Sequence, residues 1–292
     1  MNEFSHAKKV WDDYRGHPFQ LTRWPKPVEP NGTLVVIHHG HGEHSGRYDR
    51  LAQRFWTLGF EVASFDCRGH GQTLGRRGDA AGVEGLVEDF EAILPVLIDG
   101  CEAERVLLYG HSMGGAAVGR YLTACPVHGA VSAAILSAPA FAVPRAPLDE
   151  VKLRMARSIG RFFPTLTLPS GIDTHGISSD PAEVQRYEED PLIHDKISCR
   201  LGVGLIDMGD EIVADAGRLS VPTLLYHGTD DPICSIEGSR KFARLAPSGL
   251  ITFREVSGAR HEIHHETGRI QGQWWSQVES WLSRHAAISD AA

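Results

Sequence analysis

Residues 105–124, RVLLYGHSMGGAAVGRYLTA, form the stretch that decides the fold. An apolar run, which is expected to be a buried strand, leads into residues 110–114, GHSMG, and a small-residue helix follows. In this setting the G-x-S-x-G pattern is typical of a nucleophile elbow, a tight turn whose strained serine is lifted above the carboxyl ends of parallel strands. Outside it, the same letters fit a plain glycine turn with a serine N-cap. The context therefore predicts Ser112 as a nucleophile.

Short apolar runs alternate with helical patterns along most of the chain. This alternation predicts a mostly parallel central sheet flanked by helices. Together with the nucleophile elbow at Ser112, it indicates an α/β-hydrolase fold. Residues 20–24 are a candidate for an antiparallel edge strand. The other strand candidates are residues 33–39, 60–66, 105–109, 130–137, 221–227 and 250–256, and the helix candidates are residues 47–58, 83–98, 114–123, 236–245 and 271–285.

The alternation fails between about residues 139 and 205, where the sequence is rich in Pro and Ser and has no clear strand. We therefore expect an inserted helical cap at 140–205, between two parts of an α/β core at 1–139 and 206–292. One cap helix has a basic face and an apolar face, so it either packs over a pocket or lies on a membrane surface. Its apolar face consists of Leu148, Val151, Met155, Ile159 and Phe162, and its basic face of Arg154, Arg157 and Arg161.

Composition narrows the classes of protein that the chain can represent. The 292 residues carry a formal net charge of −8 and a pI near 6.0, which argues against a general nucleic-acid binder. Five widely spaced cysteines without a C-x-x-C pattern suit a reducing compartment. No apolar run has the length of a signal peptide or a membrane span, so a cytoplasmic protein is expected.

Loops after three other strands supply candidates for the rest of the site. After the strand at 33–39, the loop amide of His41 is expected to join that of Met113 in stabilising an oxyanion. Asp231 follows the strand at 221–227 and is preferred over Asp230 as the acid, because the proline after it keeps it extended. His261 follows the last strand, and an imidazole there can act as the base.

Residues 261–265, HEIHH, also match the H-E-x-x-H pattern of zinc proteases. That pattern requires a continuous helix that places both histidines on one face, and a third ligand. Here the residues follow a strand and a glycine turn, which disfavours a zinc site. We therefore expect no metal and no cofactor, and we interpret His264 and His265 as surface or helix-start residues.

Six stretches of the sequence resemble those of monoacylglycerol lipases and related lysophospholipases. Residues 39–48, HGHGEHSGRY, resemble the H-G-x-G-E-H-S-G-R-Y signature of that family, and the likeness extends from about residue 20 to 285. The family position at His41 is usually a small residue, so this chain departs from the pattern there. The other similar stretches are residues 66–71 (DCRGHG), 110–115 (GHSMGG), 164–168 (PTLTL), 171–173 (GID) and 190–193 (DPLI).

The resemblance implies a capped serine hydrolase that releases a fatty acid from a single-chain glyceride, without a cofactor. It implies Ser112, Asp231 and His261 as the triad, and His41 and Met113 as the oxyanion donors. It also implies that the cap contacts a membrane transiently, whereas the oligomeric state stays open. We expect a substrate pocket formed by Glu43, Arg47, Ile159, Phe162, Phe163 and Leu205.

Three other functions stay open from the sequence. A lysophospholipase or an esterase for small esters would use the same site. An aminopeptidase would need cap carboxylates to hold an α-amino group, and a binding protein could use the scaffold without catalysis. The carboxylates available for an aminopeptidase are Glu183, Glu188, Glu189 and Asp190.

Overall fold

The computed structural model describes residues 8–14, 16–144 and 147–286, with side chains for residues 16–144 and 153–286. An eight-stranded sheet and a separate two-stranded antiparallel pair, β7 and β8, organise this part of the chain. The strands are β1 Lys8–Tyr14, β2 His17–Arg23, β3 Thr33–His38, β4 Glu61–Phe65, β5 Arg105–His111, β6 Val131–Ser137, β7 Thr167–Pro169, β8 Lys196–Ser198, β9 Thr223–Gly228 and β10 Ile251–Val256.

The large sheet has the order β1-β2-β4-β3-β5-β6-β9-β10. Only the pairs β1–β2 and β2–β4 are antiparallel, and the other five pairs are parallel. The predicted mostly parallel sheet is therefore confirmed, as is the antiparallel strand near residues 20–24. That strand, β2, is covered by β1, so it is not the edge strand that the sequence suggested.

Eight α-helices accompany the strands in the described ranges. Alternate residues of β3 point into two apolar clusters: Leu34 and Val36 into one, Val35 and Ile37 into the other. The first cluster is completed by residues of α2, α3, α6 and α7, and the second by residues of α1 and α8, so helices cover both faces of the sheet. The helices are α1 Asp49–Thr57, α2 Gly82–Asp99, α3 Ser112–Ala124, α4 Pro147–Phe162, α5 Pro181–Glu189, α6 Cys199–Ala214, α7 Ile236–Leu245 and α8 Gly268–His285.

The turn from β5 into α3 brings the chain close to the end of β3. Ser112 has a φ of +52°, a strained conformation for a residue with a side chain, as the motif predicted. A Cβ on Gly114 would lie 2.2 Å from the carbonyl oxygen of His38 and 2.5 Å from that of His39. Only glycine fits there, so α3 begins directly against the strand that precedes residues 40–43.

A long insertion between β6 and β9 contains α4, β7, α5, β8 and α6. The predicted end of the cap at residue 205 falls within α6. This helix is continuous and buries Leu201, Met208 and Ile212 in the first apolar cluster. The division of the chain into two core parts and a cap at 140–205 stays a prediction. No helix within the described ranges is both long and apolar enough to cross a bilayer.

The apolar side chains of α4 that the structure describes face solvent rather than a pocket. Met155 is 58% exposed, and Phe162 and Phe163, at the end of the helix, are 80% and 65% exposed. The predicted face also included Leu148 and Val151, whose side chains lie outside the described residues. Where its side chains are described, the apolar face of α4 therefore does not cover a pocket.

Candidate active site

The side chains predicted to form the triad come from the carboxyl ends of β5, β9 and β10. Ser112 follows β5, Asp231 follows β9, and His261 lies in the loop after β10. Ser112 and His261 line one small cavity, and His261 donates from Nδ1 to Oδ2 of Asp231 at 2.8 Å. Parallel strands deliver their ends to one edge of the sheet, which is why residues distant in sequence meet here.

Asp231 is a buried carboxylate with four donors. Oδ1 accepts from the amides of Ile233 and Cys234 at 2.8 and 3.0 Å, and Oδ2 lies 2.8 Å from His261 Nδ1 and 3.0 Å from His227 Nε2. Burial alone would raise the pKa of Asp231, but the two histidines and the hydrogen bonds lower it far below the ordinary value. The carboxylate is therefore ionised at neutral pH.

The charge of Asp231 sets the protonation of His261. Burial lowers the pKa of His261, whereas the negative charge of Asp231 and the hydrogen bond to it raise that pKa, and the net shift is upward. The bond also fixes the tautomer, because a carboxylate accepts only the Nδ1 proton and leaves the Nε2 lone pair free. This is the form of imidazole that can accept a proton from a hydroxyl.

The neighbouring aspartate has a different environment. Oδ1 of Asp230 accepts from the hydroxyl of Thr229 at 2.9 Å, and the residue is exposed to solvent. The structure thus joins to His261 the aspartate that the sequence argument preferred.

The loop after β3 lies against Ser112. A Cβ on Gly40 would lie 3.2 Å from Cβ of Ser112, and His41 borders the same cavity. The Gly40 amide donates to Oε1 of Glu43 at 2.6 Å, which fixes the bend of the loop. The amides of His41 and Met113 are therefore close to the serine, and their role as oxyanion donors stays a prediction.

A buried network of ion pairs holds the loop after β3. Arg47 donates to Oε2 of Glu43 at 2.6 Å and to both carboxylate oxygens of Glu262 at 2.5 and 2.7 Å. Burial raises the pKa of Glu43 and Glu262, but Arg47 lowers both, and the net shift is downward for each. One guanidinium therefore links the loop after β3 to the segment that carries His261.

The side chains of the H-E-x-x-H segment make hydrogen bonds within the protein. Residues Ile263–His265 form a single 3₁₀ turn, and His261 is already bonded to Asp231. His265 lies with Nδ1 2.7 Å from Glu262 and Nε2 3.1 Å from the Arg47 carbonyl. His264 and His265 are buried, so the expectation that they lie at the surface is wrong; they are parts of the core polar network.

The predicted pocket residues fall in four different places. Glu43 lines the cavity beside Ser112, but Arg47 faces a separate cleft together with Arg50 and Glu183. Ile159, Phe162 and Phe163 are exposed to solvent, and Leu205 packs against the first apolar cluster. In the described part of the chain the apolar lining comes instead from Ile172, Ile177, Tyr187 and Ile233.

Comparison with known proteins agrees with this geometry. Residues 29–268 match a family model described as serine aminopeptidase, S33. The chain is 31% identical to monoacylglycerol lipase of Mycolicibacterium smegmatis, covering 90% of this chain and 91% of that protein. It is 30% identical to human monoglyceride lipase, with 94% and 90% covered.

Solved structures give the same result. The crystal structure of Paleococcus ferrophilus monoacylglycerol lipase superposes with a TM-score of 0.80 at 34% identity, covering 91% of this chain and 98% of that chain. A soluble variant of monoglyceride lipase from Saccharomyces cerevisiae, in complex with a substrate analog, gives 0.85 at 25% identity, with 98% and 97% covered. The chain belongs to the monoacylglycerol lipase-like family of serine α/β-hydrolases.

Sequence reasoning missed one residue that contacts the triad. His227, the penultimate residue of β9, is fully buried; its Nε2 lies 3.0 Å from Asp231 and its Nδ1 lies 2.8 Å from the hydroxyl of Ser239. It contacts Oδ2 of Asp231, the same carboxylate oxygen to which His261 donates. Its position at a strand end next to the acid was the available signal, but the family motifs do not include it.

Arg47→Met should destabilise the fold by about 3–5 kcal/mol, because it leaves two buried carboxylates without a counter-charge. Urea denaturation at pH 7 measures the free energy of unfolding. Arg240→Met is the matched control, since Arg240 pairs with Glu237 and Glu255 at the surface and its loss should have little effect. Equal stability of Arg47→Met and the wild type would contradict the importance of this network.

Proposed function

We propose that this protein is a monoacylglycerol lipase that hydrolyses the ester through an acyl-enzyme intermediate on Ser112. The observation that carries the proposal is the hydrogen bond between His261 and Asp231 at the edge of the cavity that Ser112 lines. Ser112 itself lies in a tight turn and has a φ of +52°. The likeness to monoacylglycerol lipases over nine tenths of the chain supports the substrate class. A lysophospholipid or a small ester has the same reacting group.

In the proposed reaction, Nε2 of His261 takes the hydroxyl proton of Ser112 as the oxygen attacks the ester carbonyl. The amides of His41 and Met113 stabilise the negative charge that forms on the carbonyl oxygen, and each is worth about 3 kcal/mol of barrier. The imidazolium then protonates the departing glycerol oxygen. Water, activated by the same histidine, releases the fatty acid and regenerates the hydroxyl.

The lining of the cavity favours an acyl chain over a peptide. Ile172, Ile177 and Ile233 present apolar surface, and the two carboxylates there, those of Glu43 and Glu262, are both ion-paired with Arg47. The four cap carboxylates that an aminopeptidase would need are engaged elsewhere. Glu183 pairs with Arg50 and Arg186, Glu188 accepts from Thr174, Glu189 from Gln185, and Asp190 bonds His44.

The cavity has only about 20 Å³ of free space, which is room for about one water molecule. A fatty acyl chain therefore requires Ile172, Ile177 and Tyr187 to move away from Ser112. All three belong to the insertion between β6 and β9. We propose that this insertion acts as a cap that opens to admit the lipid.

The test of the function is a hydrolysis panel together with an active-site label. We expect 1- and 2-monoacylglycerols to be the best substrates among short nitrophenyl esters, di- and triacylglycerols, lysophosphatidylcholine and aminoacyl anilides. A fluorophosphonate should label the wild type and Ser158→Ala, an exposed serine in α4, but not Ser112→Ala. Labelling with preference for anilides would replace the lipase by a peptidase, and no labelling would indicate a binding protein.

Asp231→Asn should lower kcat by about 10⁴, because the amide no longer selects the productive tautomer of His261. Asp230→Asn, one residue away, should stay close to the wild type, since that carboxylate is exposed to solvent and accepts a hydrogen bond from Thr229 rather than from His261. Steady-state kinetics with a monoacylglycerol measures both. The reverse ranking would show that the other aspartate is the acid.

The rate should fall with acid as His261 becomes protonated, because imidazolium cannot accept the serine proton. Since Asp231 raises the pKa of His261, the midpoint of the acid limb of kcat/KM should lie above 6.5. Replacing Asp231 by Asn removes the raising charge, so the residual activity should lose its acid limb at a lower pH. A wild-type midpoint well below 6.5 would contradict this assignment of the base.

We also propose that the cap contacts membranes and that the protein is a cytoplasmic enzyme that binds there transiently. Phe162 and Phe163 lie exposed beside Arg161, which suits an anionic lipid surface. Phe162→Ser with Phe163→Ser should weaken partitioning into anionic vesicles at least tenfold, because each buried phenyl ring contributes about 1.5–3 kcal/mol. Leu245→Ser, at an exposed leucine of α7, is the control. An equal loss of partitioning in both variants would show that the cap is not the part that contacts the membrane.

A further inference from the structure

Three imidazoles meet beside the loop after β3, outside the triad. His41 lies in that loop, His70 in the loop after β4, and His194 between α5 and β8. Their ring centroids are 5.4 Å apart for His41 and His70, 5.7 Å for His41 and His194, and 4.9 Å for His70 and His194. We name these residues the three-histidine cluster.

Each ring of the cluster has a buried nitrogen without a hydrogen-bond partner. His70 is fully buried and its Nε2 has no partner, and the atom of His194 without a partner is Nδ1. Both nitrogens of His41 are inaccessible and make no hydrogen bond of good geometry, although the ring lies near the carbonyl of Lys196. The opposite nitrogens of His70 and His194 donate to the carbonyls of Arg68 and Gly69 at 3.1 and 3.2 Å. A carbonyl only accepts, so the free nitrogens of these two rings carry lone pairs.

The environment keeps all three rings neutral. Burial lowers the pKa of His41 to about 3 and that of His194 to about 4, and it lowers the pKa of His70 well below the ordinary value. Fixed charges nearby are mixed, because Arg77 lowers the pKa of His194 while Asp195 raises it. Buried lone pairs that accept no hydrogen bond are costly, and a cation would satisfy them.

We propose that the three-histidine cluster is a binding site for a divalent transition-metal ion of the zinc type. Neutral imidazole is the preferred ligand of such ions, and ligating histidines commonly donate their other N–H to a carbonyl, as His70 and His194 do. With Zn–N bonds of about 2.0–2.1 Å, three imidazoles around a tetrahedral ion have centroids about 5 Å apart. The observed spacings of 4.9–5.7 Å lie near this value. The ring nitrogens themselves do not all lie within 4.8 Å of one another, so binding requires the rings to turn their free nitrogens toward one point.

A second cluster has ligand atoms that lie closer together than those of the three-histidine cluster, but two of its three side chains are already engaged. Those of Glu262, His264 and His265 lie within 4.8 Å of one another. However, Glu262 is paired with Arg47, and Nδ1 of His265 is 2.7 Å from Glu262. The guanidinium already supplies the positive charge, so an ion there would have to displace it.

The three-histidine cluster joins parts of the molecule that must separate for substrate to enter. The amide of His194 donates to the carbonyl of Gly42 at 3.0 Å, and a Cβ on Gly42 would lie 2.5 Å from the His194 carbonyl oxygen. An ion held by His41 and His194 therefore fastens the insertion to the oxyanion loop. If the proposed function holds, the bound ion inhibits hydrolysis by keeping the cap closed.

The binding test uses the full chain without an affinity tag and does not depend on catalysis. Zinc is titrated in competition with a chromophoric chelator, and cobalt(II) is added separately to detect the visible bands of a tetrahedral site. We expect one tight site in the wild type. Binding should be at least tenfold weaker in His194→Gln and in His41→Ala but unchanged in His175→Gln, an exposed histidine of the same insertion.

Circular dichroism and thermal unfolding confirm that each variant is folded, and His194→Gln and His41→Ala serve as independent alternatives if one is not. Equal zinc affinity in the wild type and in both cluster variants, or no site in the wild type, would overturn the proposal. Such a result would leave the lipase assignment untouched, because labelling of Ser112 needs no metal.

The activity arm measures ester hydrolysis against zinc occupancy, each protein relative to its own metal-free rate. We expect inhibition that follows occupancy in the wild type and in His175→Gln, and that needs at least tenfold more zinc in His194→Gln. Equal inhibition of His194→Gln would place the inhibitory ion at another site, such as His261. Binding without any loss of rate would overturn the fastening of the cap.

Discussion

Close contact between backbones at the turn before α3 is the constraint on which the site depends. Ser112 has a left-handed conformation, and Gly114 lies so near the carbonyls of His38 and His39 that no side chain fits. Gly40 in turn reaches Ser112, because a Cβ there would touch that of the serine at 3.2 Å. Two segments, residues 38–40 and 112–114, thus meet without side chains between them, which brings the serine hydroxyl and the loop amides close together. The packing of α2 and α6 around α3 offsets the strain of this turn.

Two buried charge arrangements keep the other parts of the site in register with that turn. Four donors hold the carboxylate of Asp231, so its charge persists in the interior and orients His261. Arg47 lies between Glu43 and Glu262 and joins the loop before the serine to the segment after the histidine. An unpaired charge in either place would cost several kcal/mol, so both arrangements favour the paired geometry. Asp231, His261 and the loop after β3 are thereby held in one arrangement.

The insertion between β6 and β9 has the opposite character. It closes the cavity with Ile172, Ile177 and Tyr187, contributes His194 to the three-histidine cluster, and exposes Phe162 and Phe163 to solvent. It contacts the loop after β3 through the bond from the His194 amide to Gly42, the bond between His44 and Asp190, and the ring contact of His41 with His194. The same insertion therefore borders the cavity on one side and presents exposed phenyl rings on the other.

The amino-acid sequence by itself determined the alternation of strands and helices, the turn at Ser112 and the choice of Asp231 over Asp230. These features follow from local rules: apolar periodicity, the glycines that a tight turn requires, and the effect of a proline on the residue before it. Only the tertiary structure decided that His227 supports Asp231, that His264 and His265 are buried, and that Phe162 and Phe163 face away from the cavity. The tertiary structure also decided that the side chain of His41 lies next to those of His70 and His194. Such outcomes depend on which surfaces distant segments present to one another, and a hydrophobic or polar pattern specifies that a side chain is buried or exposed without specifying its partner.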